Sequence, residues 1–375
     1  MSPGSPVTVV DCSGVGPGGI TRVLTEVVRH WPAGQRLRLV AVPPSWEPPA
    51  STGAEVQVIS RQVSDRARAV ASATSTLRRV TGAARDEAPS ARVLSLSPSV
   101  AIVGSQLPVT TIVHDLAFKL WPYGLSTAVR QYRRVSYGTA INRSGRLLCV
   151  SARTRHDLLG LYGVPEHRTD VWQPGSDVEV VPGELPERLA AVVRGGQPYL
   201  VVAGHAAHKG VELAVEALPA LPGYVLAVLT GGQRVERFEA AVAASPAADR
   251  VLLLDRLSDA GYAAAVAGAA VFLMPSHFEG YGLPAAEALR LGTPTVVSPD
   301  PALHEATGGR AVRMTTWSAA ALAEAVTEAY AAPRPPAGRT GRSWREATDH
   351  LVALLAAGDD VPGTRGAASS TTWKG

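Results

Sequence analysis

The chain has 375 residues and a mass of 39.0 kDa, and 46% of its residues are hydrophobic against 18% that are charged. This composition excludes a disordered protein, and the length is enough for two hydrophobic cores, because a single core stops growing near about 250–300 residues. Two cysteines, Cys12 and Cys149, are too few for a disulfide-stapled secreted fold or a multi-cysteine zinc site, and they indicate a reducing compartment. The longest apolar run, at 263–274, is about half of a membrane span, so we expect a cytoplasmic protein with no transmembrane segment.

The charge of the chain is unevenly distributed. Residues 1–181 contain 20 basic and 13 acidic residues, whereas the remainder contains 16 basic and 19 acidic residues. A codon bias towards arginine explains the surplus equally well, but a basic front half also suits an anionic acceptor or peripheral contact with the inner face of a membrane. Nucleic acid is a poorer match, since only 5% of residues are aromatic and no basic–aromatic recognition motif is present.

Short apolar runs that alternate with helical stretches predict two parallel sheets, one in each half of the chain. The predicted strands of the first half are 7–11, 37–42, 56–59, 93–96, 109–113 and 147–150, and those of the second half are 199–203, 225–229, 251–254, 270–274 and 295–298. Turn residues near 174 and 182 and a linker up to 198 separate the two series. We therefore predict an α/β protein of two Rossmann-like, doubly wound domains, 1–182 and 183–340, which face a central cleft. A helix at 341–357 and a mobile tail at 358–375 follow.

The first predicted strand leads into the sequence G-V-G-P-G-G-I-T-R at 14–22. It matches G-x-G-x-x-G, which in dinucleotide-binding domains places a pyrophosphate at a helix N-terminus. That function requires an acidic residue at the end of the next strand, whereas strand 37–42 runs into P-P-S. A nicotinamide site and a purely structural turn remain open as alternatives to the function considered below.

A predicted strand in the second domain leads into the sequence G-H-A-A-H-K-G at 204–210. Lys209, one of three lysines in the chain, should lie at the strand end that faces the cleft, where a cation can neutralise a departing diphosphate and contribute about 10²–10³ in rate. A metal site formed by His205 and His208 would lack carboxylate or cysteine partners.

The segment 270–298 carries the most information. Its strand is expected to end in Pro275-Ser276, a loop with Gly280 and Gly282 follows, Pro284 fits the first position of a helix, and Gly292 fits its C-cap. Such a loop presents an anionic ligand to a helix N-terminus.

Glu279 lies before this helix and Glu287 lies one turn inside it, and both should face the cleft. Because two carboxylates would repel phosphates, we expect them to bind the hydroxyls of a sugar and a ribose. An ordinary capped helix with surface glutamates is the plain alternative, and a glycosidase carboxylate pair would lack its usual setting.

The sequence E-G-Y-G-L-P-A-A-E at 279–287 resembles the E-x7-E motif of retaining GT-B glycosyltransferases, and most of all glycosyltransferase family four. The loop at 14–22 resembles that family's G-G-I-x-R loop, 110–118 resembles the H-D-L-x-F strand end of its mannosyltransferase-like members, and 148–165 resembles its V-S-x-x-(S/T)…Y-G-V-P stretch. Two features depart from the family pattern. The arginine of the family's G-R-x4-K-G segment is missing near Gly204, where His205 or His208 is its candidate replacement, and Q-P-G-S-D at 173–177 lacks the usual asparagine.

The resemblance implies that Glu279 contacts the transferred sugar and Glu287 the ribose, and that Glu279, His114 and Lys209 are the catalytic residues. The donor-binding residues that it implies are Gly18, Gly19, Lys209, Gly280, Tyr281, Gly282, Leu283, Glu287, Arg256 and Leu257. For the acceptor, the glycine loop indicates Arg22, and the basic stretch 130–146 indicates Arg130 and Arg133, unless that stretch is only a solvated helix face.

The resemblance further implies a GT-B fold in which the second domain binds a nucleotide sugar, the first binds the acceptor, and the last helix crosses back to the first. The implied reaction moves a hexosyl group from a GDP- or UDP/dTDP-linked donor to a hydroxyl acceptor with retention of configuration, without a cofactor or metal ion. It would belong to polysaccharide, glycolipid or natural-product biosynthesis. A GT-B sugar-nucleotide epimerase and a non-catalytic nucleotide-sugar-binding protein remain alternatives. The base, the sugar, the acceptor and the oligomeric state stay open.

Overall fold

The computed structural model describes residues 6–16, 18–178, 184–338 and 341–357. Within these residues the chain forms a seven-stranded and a six-stranded sheet, and every strand pairing in both is parallel. The first sheet contains β1 (Val7–Asp11), β2 (Arg36–Val40), β3 (Glu55–Val58), β4 (Arg92–Ser95), β5 (Val109–Val113), β6 (Arg146–Cys149) and β7 (Thr169–Val171). The second contains β8 (Tyr199–Ala203), β9 (Val225–Leu229), β10 (Val251–Leu254), β11 (Val271–Met274), β12 (Thr295–Val297) and β13 (Val312–Arg313). The predicted boundary at 182/183 and the predicted tail at 358–375 lie outside the described residues.

Helices connect the strands of both sheets. They are α1 (Gly19–His30), α2 (Arg66–Glu87), α3 (Ala117–Leu120), α4 (Thr127–Arg143), α5 (Ala152–Tyr162), α6 (Glu187–Arg194), α7 (Val211–Ala217), α8 (Glu236–Ala244), α9 (Asp259–Ala267), α10 (Leu283–Arg290), α11 (Pro301–Ala306), α12 (Ala319–Ala331) and α13 (Trp344–Ala357). Several begin where a side-chain oxygen accepts a backbone N–H of the first turn, as Asp65 does for α2, Ser151 for α5 and Asp300 for α11. None of the helices in the described ranges is both long and apolar enough to cross a membrane.

The strand order places one topological switch point in each sheet. The orders are β3-β2-β1-β4-β5-β6-β7 and β10-β9-β8-β11-β12-β13, so the direction of winding reverses between β1 and β4 and between β8 and β11. In open parallel sheets, ligands bind beyond the carboxyl ends of the strands at these points. The loops after β1, β4, β8 and β11 are therefore where a site is expected.

The central strands match the apolar runs closely, because both faces of a parallel sheet are covered and their residues must be apolar. The short strands β7 and β13 were not predicted, since they lie at sheet edges and contain polar residues. The helix in the 279–292 segment also differs slightly from the prediction. Pro284 is its second residue, and Leu291 caps it, with Gly292 following at φ +79°.

The last helix belongs to the core of the first sheet. Trp344, Leu351 and Leu355 of α13 are buried in a cluster with Leu24 and Val28 of α1. The Trp172 indole N–H donates to the Ala347 carbonyl at 2.8 Å. This packing brings the C-terminal end of the described chain back against the first sheet.

Candidate active site

The loops that follow β8 and β11 meet at the switch point of the second sheet. Lys209 lies in the first of these loops and Glu279 in the second, and Lys209 Nζ is 2.7 Å from Glu279 Oε1. The Lys209 side chain is 22% exposed and that of Glu279 is 9% exposed. Two of the three predicted catalytic side chains are therefore in contact, in the part of the sheet where ligands bind.

Two glycines allow the Lys209 loop to take this position. Gly204 has φ +134°, and a Cβ there would lie 2.6 Å from Lys209 Cγ. Gly210 has φ +69°, and a Cβ there would lie 2.2 Å from the Pro275 carbonyl oxygen. Since side chains are strained at positive φ and would also overlap these atoms, glycine is required at both positions.

A backbone hydrogen bond ties the Glu279 loop to α11. The Glu279 N–H donates to Asp300 Oδ2 at 3.1 Å, and the same carboxylate N-caps α11. Arg153, from the start of α5, binds Asp300 with Nη1 2.9–3.0 Å from the two carboxylate oxygens. A residue packed with the first sheet thus stabilises the loop that carries Glu279.

Gly280 lies at a contact between the two halves of the chain. Its carbonyl accepts hydrogen bonds from Ser151 Oγ at 2.6 Å and Thr154 Oγ1 at 3.0 Å. A Cβ on residue 280 would lie 1.8 Å from the His114 carbonyl oxygen. The carbonyl of this predicted donor-binding residue is therefore engaged by α5, and no side chain fits at the position.

The next three predicted donor-binding residues form the turn into α10. Gly282 is the N-cap with φ +110°, and a Cβ there would be 2.4 Å from Leu303 Cδ2. Tyr281 is buried in the core cluster that also contains Trp344, and burial raises the pKa of its hydroxyl to about 12. Leu283 packs against this cluster. Their side chains contribute to packing. Pro284 has no N–H, and the Ala285 and Ala286 N–H groups donate to the Gly282 carbonyl at 3.0 and 3.2 Å, so the helix attracts an anion mainly through the positive end of its dipole.

Glu287 is buried on the first turns of α10 and contacts two side chains. Arg22 Nε lies 2.9 Å from Oε1 at ion-pair distance, without hydrogen-bond alignment, and the Tyr262 hydroxyl donates to Oε2 at 3.4 Å. Burial raises the pKa of Glu287 to about 7, and the nearby Arg22 opposes this shift only in part. The structure thus places Arg22, a predicted acceptor residue, against the predicted ribose-binding carboxylate.

The glycine loop after β1 opens α1 towards solvent. Gly18 has φ +104° and is the N-cap, and Gly19 is the first helical residue. A Cβ at either position would meet no atom within 4 Å. Because Arg22 lies in the first turn of α1 and contacts Glu287, the N-terminus of α1 faces α10 across the cleft.

His114 follows β5 and is held by the chain after β4. Its Nε2 is 2.7 Å from the Leu96 carbonyl, which can only accept, so Nε2 carries the proton and Nδ1 of the neutral ring is an acceptor. Burial lowers the pKa of His114. Arg133 Nη1 lies 3.4 Å from Asp115 Oδ1, next to His114, whereas Arg130 is half-buried one turn earlier on α4.

Arg256 and Leu257 follow β10, the edge strand of the second sheet. Arg256 is exposed and Leu257 is half-buried. Gly232, with φ +79°, lies beneath them, and a Cβ there would be 3.1 Å from Arg256 Cβ. The loop therefore packs on a turn after β9.

The two histidines near the missing arginine have different surroundings. His205 is exposed. Burial, with a smaller effect from Lys209, lowers the pKa of His208 to about 4, so His208 is uncharged near neutral pH. A residue that sequence reasoning missed is Arg237 of α8, whose guanidinium donates to the His205 carbonyl and pairs with Glu212 at 2.6 Å. No motif marked it, because it lies in another element.

A second concave region lies over the switch point of the first sheet. It has a volume of about 280 Å³, and its lining includes the hydroxyl groups of Ser13, Ser64, Ser99 and Tyr132. Ser13 Oγ donates to the buried Asp11 carboxylate at 2.6 Å and lies 2.6 Å from Ser99 Oγ. Arg22, Arg130 and Arg133 are not among its described lining residues.

Across the ranges that the structure describes, no group of three or more His, Cys, Asp or Glu side chains is arranged to hold a metal ion.

A glycosyltransferase family model matches each half of the chain. The model of glycosyltransferases group 1 matches residues 197–332, and that of Glycosyltransferase Family 4 matches residues 17–180.

Two curated relatives are also named as glycosyl-transferring enzymes. The chain is 32% identical over 182 residues to a D-inositol 3-phosphate glycosyltransferase of Xylanimonas cellulosilytica, which covers 45% of this chain and 44% of the relative. It is 31% identical over 175 residues to an MMP alpha-(1->4)-mannosyltransferase of Mycolicibacterium hassiacum, which covers 45% of this chain and 41% of the relative. The matches thus span less than half of these relatives.

Solved structures match nearly the whole chain. Anabaena Alr3699/HepE in complex with UDP and glucose has a TM-score of 0.67 at 16% identity and covers 93% of this chain and 99% of that one. WaaG, a glycosyltransferase involved in lipopolysaccharide biosynthesis, has a TM-score of 0.60 at 17% identity and covers 95% and 100%. At these identities the likeness shows the fold, which is the GT-B arrangement of two Rossmann-like domains.

Proposed function

Because this chain belongs to the group 1, family four glycosyltransferases, we propose that it transfers a hexosyl group from a nucleoside-diphosphate sugar to a hydroxyl acceptor with retention of configuration. The donor would be GDP- or UDP/dTDP-linked, and the product would belong to a polysaccharide, glycolipid or natural product. The UDP and UDP-glucose complexes of the structurally similar HepE support a nucleotide-sugar donor.

The observation that carries this proposal is the contact between Lys209 and Glu279 beside the N-terminus of α10. The reaction must break the bond between the sugar and the diphosphate, and negative charge then develops on the departing phosphate. Lys209 and the positive end of the α10 dipole would take up this charge, and preorganised groups of this kind contribute most to such reactions. Glu279 would hold hydroxyls of the transferred sugar.

His114 and Glu287 would orient the two ends of the donor. The hydrogen bond from His114 to Leu96 fixes its ring, so that Nδ1 can accept a sugar hydroxyl. Glu287 would accept the ribose hydroxyls and exchange them for its contact with Arg22. The turn at Gly280, Tyr281, Gly282 and Leu283 would hold the sugar and diphosphate, and the loop with Arg256 and Leu257 would meet the base.

The first domain would bind the acceptor. The 280 Å³ cavity at its switch point is lined by hydroxyl-bearing residues and by Gly14 and Gly16 of the glycine loop, and it would hold a polar ligand. Arg22, Arg130 and Arg133 would act as cations beside the acceptor or at an anionic membrane surface. The acceptor hydroxyl would attack the anomeric carbon on the face that the diphosphate leaves, and a phosphate oxygen would take its proton.

Thermal unfolding with UDP, GDP, dTDP, ADP and NAD, each with EDTA, tests the donor site. A nucleotide at 100 times its Kd should stabilise the fold by about 2.7 kcal/mol, a shift of a few degrees. We expect one nucleoside diphosphate to act, and its sugar conjugates to release that diphosphate in EDTA, since we propose that no metal ion is needed. A shift with NAD alone would overturn the proposal, and so would an isomeric sugar nucleotide as the product.

A further inference from the structure

Three aromatic rings stack at the rim of the cleft, and we call them the aromatic clasp: Trp121, His277 and Trp317. The ring centroids of His277 and Trp317 are 3.4 Å apart with planes at 28°, and those of His277 and Trp121 are 5.4 Å apart at 25°. His277 therefore lies between two indoles. Two of the seven tryptophans of the chain thus stack on one histidine.

The clasp joins the two domains. Trp121 follows α3, in the segment between β5 and β6 of the first sheet. His277 and Trp317 belong to the second, in the loop after β11 and the segment between β13 and α12. The Trp317 indole N–H donates to the Pro275 carbonyl at 2.7 Å, which fixes this ring on the strand end that leads to His277.

The Lys209 loop and the Glu279 loop each present a histidine to Trp121. His277 lies two residues before Glu279, and His208 directly precedes Lys209. The ring centroids of Trp121 and His208 are 5.9 Å apart with planes at 72°. The backbone N–H of His277 donates to the backbone carbonyl of His208 at 2.7 Å. The clasp therefore contacts both loops next to the residues that form the Lys209–Glu279 pair.

We propose that the aromatic clasp closes the rim of the cleft beside the transferred sugar, holds the Lys209 and Glu279 loops against the first domain, and excludes water from the anomeric carbon. This inference rests on the proposed function. Its chemical consequence is a choice between two nucleophiles. When water enters, its oxygen forms the new bond to the anomeric carbon, the bond to the diphosphate breaks, and a water proton leaves with the phosphate. The products are then free sugar and nucleoside diphosphate instead of glycoside and nucleoside diphosphate.

The test compares Trp121→Ala and His277→Ala with His277→Phe, which keeps an aromatic ring between the two indoles. Tyr330→Ala is the matched control, because it removes an exposed ring of the second domain whose centroid lies 5.5 Å from that of Tyr224 and that takes no part in the clasp. Free sugar and glycoside are quantified after turnover with the active donor and a panel of alkyl glycosides and polyols. We expect both alanine variants to raise the ratio of hydrolysis to transfer about tenfold, which corresponds to about 1.4 kcal/mol in the difference between two barriers. His277→Phe and Tyr330→Ala should keep the wild-type ratio.

Hydrogen–deuterium exchange gives a second readout that needs no substrate. The loops at 205–210 and 276–283 should exchange faster in both alanine variants and at the wild-type rate in His277→Phe. An unchanged product ratio or unchanged loop exchange in Trp121→Ala would overturn the inference. Failure of the proposed function looks different, since the wild-type chain would then release no nucleoside diphosphate from any sugar nucleotide.

Discussion

Gly280 and His114 are in backbone contact across the cleft, so that a Cβ on residue 280 would lie 1.8 Å from the His114 carbonyl oxygen. The contact joins the loop that carries one predicted catalytic residue to the strand end that carries another. The relative position of Glu279 and His114 therefore depends on the absence of a single side chain.

Gly280→Ala should separate these two loops. Because displacing catalytic groups by about 1 Å can cost about 10²-fold in rate, we expect kcat to fall by at least this factor. The melting temperature should also fall, since the Ser151 and Thr154 hydrogen bonds to Gly280 would be strained. Gly160→Ala is the control, because a Cβ there would meet no atom within 4 Å. Wild-type turnover in Gly280→Ala would contradict the prediction.

Glu279 and Glu287 should affect different kinetic constants. Glu279→Gln removes the group that we propose to hold the reacting sugar, so kcat should fall by about 10²–10³. Glu287→Gln removes the proposed contact to the ribose, which would be made before and during the reaction, so KM for the donor should rise with little change in kcat. Steady-state kinetics with varied donor separates the two, and equal effects of both variants would contradict the assignment.

The affinity for the donor should increase with pH. The pKa of Glu287 is raised to about 7 by burial, so the carboxyl is protonated below this pH and ionised above it. Ribose hydroxyls donate hydrogen bonds more strongly to the ionised form. Nucleotide binding measured from pH 5.5 to 8.5 should therefore strengthen through about pH 7, and Glu287→Gln should show no such step.

The same pKa predicts a dependence of stability on pH. The folded-state pKa of Glu287 lies above its usual value of 4.5, so its protonated form favours the folded state, and this contribution is lost as pH rises towards 7. Glu287→Gln resembles the protonated carboxyl at every pH. Its melting temperature relative to wild type should therefore be higher at pH 8 than at pH 5. A constant difference would mean that Arg22 keeps the carboxyl ionised throughout.

Arg237 should support the Lys209 loop. Its guanidinium binds the His205 carbonyl and Glu212, beside the segment that lacks the family's arginine. Arg237→Gln should raise KM for the donor about tenfold, an effect of about 1.4 kcal/mol. Arg234→Gln is the matched control, because Arg234 precedes the same helix but pairs with Glu239 at the protein surface. If both variants bind the nucleotide equally well, Arg237 has no part in the site.

Much of the fold and the central part of the site could be predicted from local sequence. Buried parallel strands need apolar residues on both faces, so runs such as Val7–Asp11 and Val225–Leu229 mark their own positions. Gly282 and Pro284 mark the start of α10 because few other residues suit those backbone angles. Both patterns lie within a few residues, and so does the spacing of Glu279 and Glu287.

The sequence by itself determined the two α/β domains and the glycine loops, and it singled out Lys209, Glu279 and Glu287 as candidate site residues. Only the tertiary structure decided which groups meet across the cleft: Arg22 with Glu287, Arg153 with Asp300, and Trp121 with His277. The physical reason is that these pairs join residues more than a hundred positions apart. Their contacts depend on how two sheets pack against each other, and no local periodicity or turn preference contains that information.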